Sequence, residues 1–241
     1  MTGGGLLGAL VICAALAGAA QAETFATITP SLYPRRLGAR GALVLTIRFA
    51  AGQSGVPSPV RRSVVKFPAG LRLEIPSLRG CSTARLQARG PAGCPAQSEL
   101  GTGHALVQAR AGSQIISENV ALWVFLGPLR NLQPTFEILG QGHTPLQERV
   151  VITGTLLADR APFGEELEMS IPEIPTLPLE PDASIVTLTL TVGARGERPS
   201  ADANAIVAPS RCPAGGFPFA AEITYADGSE GSALATVQCP R

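Results

Sequence analysis

Alternation of apolar and polar residues constrains the fold of this chain more than any other feature of the sequence. Leu43, Leu45, Ile47 and Phe49 alternate with the residues between them, and the segment 186–192 repeats the pattern against three threonines. A period of two is typical of half-buried strands, because successive side chains of a strand point to opposite faces. The sequence therefore predicts an all-β, antiparallel protein.

About a dozen strands are predicted, and turn residues separate them. Gly (27) and Pro (21) are abundant while charged residues make up only 15%, a composition that suits short strands joined by turns. The remaining predicted strands are 25–29, 64–67, 71–75, 103–109, 120–126, 135–139, 150–157, 166–171 and the hairpin 217–225 with 233–238. Because no helical period is sustained, we expect an immunoglobulin-like β-sandwich with one or two short helical turns.

Two short segments are assigned within this plan. Segment 120–126 is apolar on both faces, so it is predicted to be a central strand covered on both sides. Helical turns are predicted at 82–87, where Ser82 can cap, and after Cys94-Pro95.

The first residues of the chain resemble an export signal. Residues 6–20 carry no charge and are too few for the roughly 20 that a spanning helix needs, and Ala20-Gln21-Ala22 follows them. We predict a signal peptide over residues 1–22 and a secreted or cell-surface domain over 23–241. Residues 1–5 lack Lys and Arg, so retention of the leader as a membrane anchor is the alternative.

Four cysteines remain after such a cleavage: Cys81, Cys94, Cys212 and Cys239. An even number in an exported chain indicates two disulfides, and four cysteines permit three connectivities. Local pairing is the simplest, since the hairpin within 205–241 brings the last two cysteines together. That hairpin is a candidate for a semi-independent part of the domain. A four-thiolate zinc site is the alternative, but the spacings are far wider than C-x2-C.

Two segments are predicted to be connections between strands. Prolines recur at every third position at Pro172, Pro175, Pro178 and Pro181, which matches polyproline II and excludes a central strand. We interpret this repeat as a stiff crossover, with a docking ligand for an aromatic groove as the alternative. The polar segment 193–204 is a second candidate linker.

The charge balance limits the partners. With 19 basic and 18 acidic side chains, the chain has no field to draw it onto nucleic acid or, once the leader is removed, onto a membrane. An envelope or extracellular protein is the expected partner.

Residue types that carry chemistry are few and scattered. His104 and His143 are isolated among Gly, Thr and apolar residues, and neither has a sequence neighbour that makes it a metal ligand or a base. The densest acidic run is Glu165, Glu166 and Glu168, followed by Glu173. Paired carboxylates can cleave glycosidic bonds, but sequence proximity does not place them across a cleft. We therefore predict no catalytic, cofactor or metal residue and a non-enzymatic structural or protein-binding module. The alternative is an exported hydrolase of envelope or extracellular polymers.

Several motifs built of Cys, Gly and Pro carry a resemblance. They are Phe67-Pro68-Ala69-Gly70, Gly93-Cys94-Pro95-Ala96, Cys212-Pro213-Ala214-Gly215-Gly216 and Tyr225-Ala226-Asp227-Gly228. In these motifs the chain resembles exported actinobacterial proteins that have no assigned activity, from about residue 60 to the C-terminus. The resemblance implies an exported β protein and supplies no catalytic residues.

Overall fold

The computed structural model describes residues 26–51, 55–74, 79–143, 147–176, 182–194 and 205–240. The predicted signal peptide, residues 1–22, lies outside the described residues, as does most of the predicted linker 193–204. Pro178 and Pro181 of the proline repeat also lie outside them.

The described residues form thirteen strands and one short helix. The strands are β1 (Ala26–Tyr33), β2 (Arg40–Phe49), β3 (Val60–Pro68), β4 (Arg72–Leu73), β5 (Glu99–Ala111), β6 (Gln114–Leu126), β7 (Thr135–Gln141), β8 (Arg149–Ala158), β9 (Phe163–Ser170), β10 (Ser184–Val192), β11 (Ile206–Val207), β12 (Phe217–Tyr225) and β13 (Glu230–Val237). The helix is α1 (Thr83–Arg89), and 3-10 turns follow at Pro91–Gly93 and Ala96–Ser98. The predicted mostly-β fold with short helical turns is confirmed.

All the strand pairings within the described residues are antiparallel, and they join the strands into one sheet. Its order is β13-β12-β3-β9-β8-β7-β6-β5-β10-β2-β11-β4, with β1 pairing on β2. Strand β1 also lies beside β13, so the sheet curls back on itself. Strand twist accumulates across a large sheet and produces such a curl. The immunoglobulin-like sandwich is not confirmed, because a single sheet replaces the two that were expected.

The alternating apolar residues face the inside of the curl. In the register of β2 with β10, Leu45 lies opposite Leu190 and Ile47 lies opposite Leu188. These four residues are buried in one core that draws inner-face side chains from both halves of the sheet. Each large apolar side chain buried there contributes about 1.5–3 kcal/mol. The core therefore holds the two halves of the curl against each other.

A smaller apolar cluster lies on the outer face of the sheet, under α1. Leu86 of the helix is completely buried against Phe125, Leu139 and Val151, which belong to β6, β7 and β8. The helix ends at Gly90, whose φ of 63° suits glycine. The C-terminal end of β6 is therefore covered on both faces, with Val124 buried on the inner face and Phe125 on the outer face, whereas Ala121 in the same predicted central segment is exposed on the outer face.

Both disulfides follow the local pairing. Cys81–Cys94 spans 13 positions and closes around α1, and Cys212–Cys239 spans 27 and joins the ends of the β12–β13 hairpin. Strand β12 pairs on its other side with β3, so this hairpin belongs to the common sheet. Two disulfides indicate an oxidising environment.

Candidate functional site

The two histidines lie on different strands and have different surroundings. His104 is exposed on the outer side of β5, in register with Ala121. His143 follows β7, where its backbone N–H donates to Glu118 Oε1 at 2.6 Å and its ring Nδ1 lies 3.7 Å from the same oxygen. The sequence did not point to Glu118, because this glutamate lies 25 positions from the histidine.

The acidic run of β9 is divided between the two faces of the sheet. Glu166 lies 3.7 Å from the Lys66 ammonium, and Glu168 accepts a hydrogen bond of 2.8 Å from Arg62. Both contacts are on the outer face, whereas Glu165 lines an inner cavity. Alternation along the strand therefore separates Glu165 from its neighbours.

A further ion pair extends this outer surface. The Lys66 ammonium lies 3.0 Å from Glu222 of β12, and the hydrogen bond between them raises the pKa of the lysine. Glu173, which follows β9, accepts a hydrogen bond of 3.0 Å from Arg61, which alternation along β3 places on the other face from Arg62 and Lys66. Glu166, Glu168 and Glu173 are thus each paired with a basic side chain, and such surface pairs stabilise only weakly.

One apolar cavity opens between β5, β6, β7, β8 and β10, and we call it the Glu118 cavity. It has a volume of about 80 Å³. Its apolar lining includes Ala105, Val107, Ala109, Val120, Leu122 and Ile152, and its polar lining includes Glu118 and Glu148. A water molecule needs only about 10–15 Å³ measured in this way, so the space is large enough for a small apolar group.

A second apolar cavity of about 80 Å³ lies toward the opposite ends of β6, β7, β8 and β10 and is also lined from β2, β3, β4, β9 and β11. We call it the Glu165 cavity. Phe67, Phe136, Leu156 and Leu190 line it together with that glutamate. Burial raises the pKa of the Glu165 carboxyl, so this side chain keeps its proton more readily than an exposed glutamate does.

Two alanines of β5 account for part of the first of these spaces. Ala105 and Ala109 line the Glu118 cavity with small side chains. Gly140 of β7 also lines it, but a Cβ there would press on Leu122 at 3.3 Å and on Val120 at 3.4 Å, so this glycine makes room for those two side chains. The sequence therefore places small side chains where a fully packed core would hold large ones.

A buried carboxyl lies on the outer face, beneath α1. Glu137 of β7 is completely buried, and its Oε2 accepts a hydrogen bond of 2.9 Å from the Thr153 hydroxyl. Its Oε1 has no partner with hydrogen-bond geometry among the described residues, although the Thr83 side chain lies near the carboxyl. Loss of solvent raises the pKa of this carboxyl, and the bond from Thr153, the nearby Thr83 and the charge of Arg130 oppose that shift only in part. Sequence reasoning missed Glu137, because it sits among apolar residues that predict a core strand.

The turn between β6 and β7 presents a leucine in an unusual backbone conformation. Asn131 and Leu132 have positive φ angles of 49° and 65°, and Leu132 is 90% exposed. The backbones of Arg130 and Gln133 close the turn with reciprocal hydrogen bonds of 3.0 and 2.8 Å. Asparagine adopts this conformation readily, but leucine does so at a cost of about 1–2 kcal/mol.

The part of the chain that the structure describes contains neither a candidate metal site nor a candidate membrane-spanning helix. No group of three or more His, Cys, Asp or Glu side chains is arranged there to hold a metal ion. None of the helices described is long and apolar enough to cross a membrane.

Comparison of the chain with protein-family models, with curated proteins and with solved structures finds no match in any of the three. The resemblance to exported actinobacterial proteins therefore stays a prediction.

Proposed function

We propose that this chain is a non-enzymatic, sandwich-type module, secreted or held at the cell surface, that binds a protein partner through the β6–β7 turn. The observation that carries this proposal is the exposed Leu132 in a left-handed conformation. The left-handed backbone conformation is unfavourable for leucine, and this side chain buries almost none of its surface within the chain. Burial against a partner would offset that cost, and backbone strain of this kind is frequent at binding sites.

The turn is also held firmly, which favours binding. Gly127 donates a backbone hydrogen bond of 2.7 Å to Thr135, and the Thr135 hydroxyl donates to Pro128. Cys81 donates a bond of 2.7 Å to Leu126, so the first disulfide lies against the base of the turn. A loop already fixed in its bound shape loses little entropy on association.

The surface around Leu132 suits an apolar contact with a polar rim. Leu129 of the same turn is 44% exposed, and Arg130 lies between the two leucines. Apolar anchors surrounded by polar groups, arginine among them, are typical of protein interfaces. A partner with a small apolar pocket and an acidic edge fits this turn.

The proposed export of the protein and its proposed sandwich-type fold are supported by other observations. The two disulfides favour an oxidising compartment, and the apolar leader with its small-residue cleavage site favours export. One core shared by the facing halves of the curled sheet supports a sandwich-type module.

The exported hydrolase is less well supported. A cleft that joins a histidine to two glutamates would be needed, and Glu165 and Glu166 lie on opposite faces of β9. His143 has Glu118 beside it, and Glu148 lines the same cavity as Glu118, but the His143 side chain is 63% exposed and does not line that cavity.

Capture of a partner from the native host tests the proposal. A C-terminally tagged chain is expressed in its own host, recovered from the envelope and medium, and compared with Leu132→Asn and Leu234→Thr variants. Leu234 is 81% exposed on β13 and serves as the matched control. We expect one partner to be retained by the unmodified and control chains and reduced at least tenfold by Leu132→Asn. Equal retention by Leu132→Asn, or no partner with any chain, contradicts the proposal.

A further inference from the structure

We propose that the Glu118 cavity binds a linear aliphatic chain that ends in a primary ammonium group. This site is separate from the β6–β7 turn, and its occupant is a small molecule rather than a protein. Three properties of the cavity lead to this ligand: its apolar walls, its length along the strands, and the charge at its mouth.

The walls exclude most polar ligands. Apart from the two glutamates and Thr176, the lining consists of aliphatic side chains, glycines and one proline. A ligand that placed a hydroxyl or an amide deep inside would lose hydrogen bonds to water and gain none. The part of the ligand that enters must therefore be hydrocarbon.

The shape of the lining favours a chain over a ring. Four successive inner-face residues of β6 border the cavity: Ile116, Glu118, Val120 and Leu122. At about 3.4 Å per residue, they extend over roughly 20 Å along the strand. The volume of about 80 Å³ is small for such a length, so the space is narrow. Benzene occupies a cavity of roughly 150 Å³ measured in the same way.

The charge at the mouth selects the head group. Glu118 lines the cavity from the first half of β6, and Glu148 lines it from the position just before β8. Glu118 accepts the backbone N–H of His143 and lies beside its ring, so among the described residues two carboxylates and one imidazole lie at this side of the cavity. Arg149, the next residue along, donates to the carbonyls of Gln87 and Ala88 on the outer face instead. A carboxylate head would meet repulsion there, and an ammonium would be attracted.

Calorimetric titration of the full chain tests this assignment with n-butylamine, n-hexylamine and n-octylamine. We expect roughly fourfold tighter binding for each added methylene until the cavity is filled, and no further gain beyond that length. Hexan-1-ol should bind more weakly than hexylamine, and hexanoate at least tenfold more weakly. Equal binding of hexanoate and hexylamine overturns the head-group assignment, and the absence of any binding overturns the site.

Variants locate the binding. Ala109→Leu fills the cavity and should weaken hexylamine binding at least tenfold, whereas Ala121→Leu adds the same volume on the exposed outer side of β6 and should change nothing. Glu148→Gln should weaken hexylamine severalfold and leave hexan-1-ol unchanged. Unaltered binding by Ala109→Leu overturns the proposal.

A measurement on the unmodified chain covers the case in which Ala109→Leu fails to fold. Methyl NMR during hexylamine titration should shift the signals of Val120, Leu122 and Ile152, which line the cavity. Shifts confined to methyl groups outside this lining overturn the proposal.

Discussion

The two disulfides of this chain close regions of very different character. Cys81 is completely buried and packs in the same cluster as Leu86, beneath α1. Cys212 is exposed, and its partner Cys239 is only partly buried beside the β12–β13 hairpin. The first disulfide therefore holds α1 over apolar residues of the sheet that would otherwise be exposed. The second disulfide closes a hairpin whose two strands are already held together by backbone hydrogen bonds.

The two regions also differ in the residue that takes the left-handed position in their turns. In the β12–β13 turn the left-handed position is taken by Gly228, and Asp227 accepts hydrogen bonds from the backbone N–H and hydroxyl of Ser229. In the β6–β7 turn a left-handed position is taken by Leu132. The β12–β13 turn follows the local rules of turn chemistry, and the β6–β7 turn breaks them. Departures from those rules are expected at functional or strained positions, and the proposed role of Leu132 is of that kind.

The largest expected effect comes from removing the first disulfide. Replacing Cys81 and Cys94 by alanine releases the loop and leaves space beside Leu86, so we expect the free energy of unfolding to fall by about 4 kcal/mol. The same replacement of Cys212 and Cys239 should cost about 3 kcal/mol. Urea unfolding of both variants measures the difference. Loop length alone ranks the two in the opposite order, so a greater loss at the second disulfide contradicts this view.

The next effect concerns the helix that the first disulfide holds. Leu86→Ala removes the completely buried side chain of α1 and should cost about 3 kcal/mol, whereas Leu234→Ala on the exposed face of β13 should stay within about 0.5 kcal/mol. Trp123, which packs against the same cluster, supplies the fluorescence signal for unfolding. A loss below about 1 kcal/mol for Leu86→Ala would show that α1 contributes little.

The buried carboxyl beneath α1 makes the stability of this region depend on pH. Because burial raises the pKa of Glu137 in the folded chain, its protonation stabilises the fold below the ordinary value of 4.5, and that contribution is lost as the pH rises through the folded pKa. Glu137→Gln should therefore be about 1 kcal/mol more stable than the unmodified chain at pH 7. The difference should vanish near about pH 3.5.

Unfolding at a series of pH values measures this dependence. Glu230→Gln, on the exposed β13, is the matched control and should stay within about 0.5 kcal/mol at neutral pH. A loss of stability in Glu137→Gln at pH 7 would mean that the charged carboxylate is required.

Local sequence signals predicted the elements well, because the interactions that form them are local. Alternation from Leu43 to Phe49 is set by neighbouring side chains, and the pairing of Cys212 with Cys239 follows from a hairpin within one short segment. The helical turn after Cys81 was visible for the same reason.

The sheet order and the candidate sites were not visible, because they depend on contacts between distant segments. Val65 of β3 pairs with Ala221 of β12 on one side and with Leu167 of β9 on the other. Other strands of similar apolar pattern would suit either position, so the sequence does not specify these two neighbours. His143 acquires Glu118 through the pairing of β6 with β7. At the β6–β7 turn no local pattern indicates that Leu132 takes a left-handed conformation or stays exposed.

The two turns give the last and smallest prediction, because substitutions there should act with opposite signs. Gly228→Ala places a Cβ at a φ of 83° and should cost about 1 kcal/mol, although nothing lies within 4 Å of the added atom. Leu132→Asn puts a residue that tolerates the left-handed conformation at a φ of 65° and should add about 0.5 kcal/mol to the free energy of unfolding. Thermal unfolding of the two variants measures both signs. If Leu132→Asn is destabilising, the leucine serves the fold and the case for a partner at this turn weakens. If it is stabilising and partner capture is lost, the leucine is retained for binding at the expense of stability.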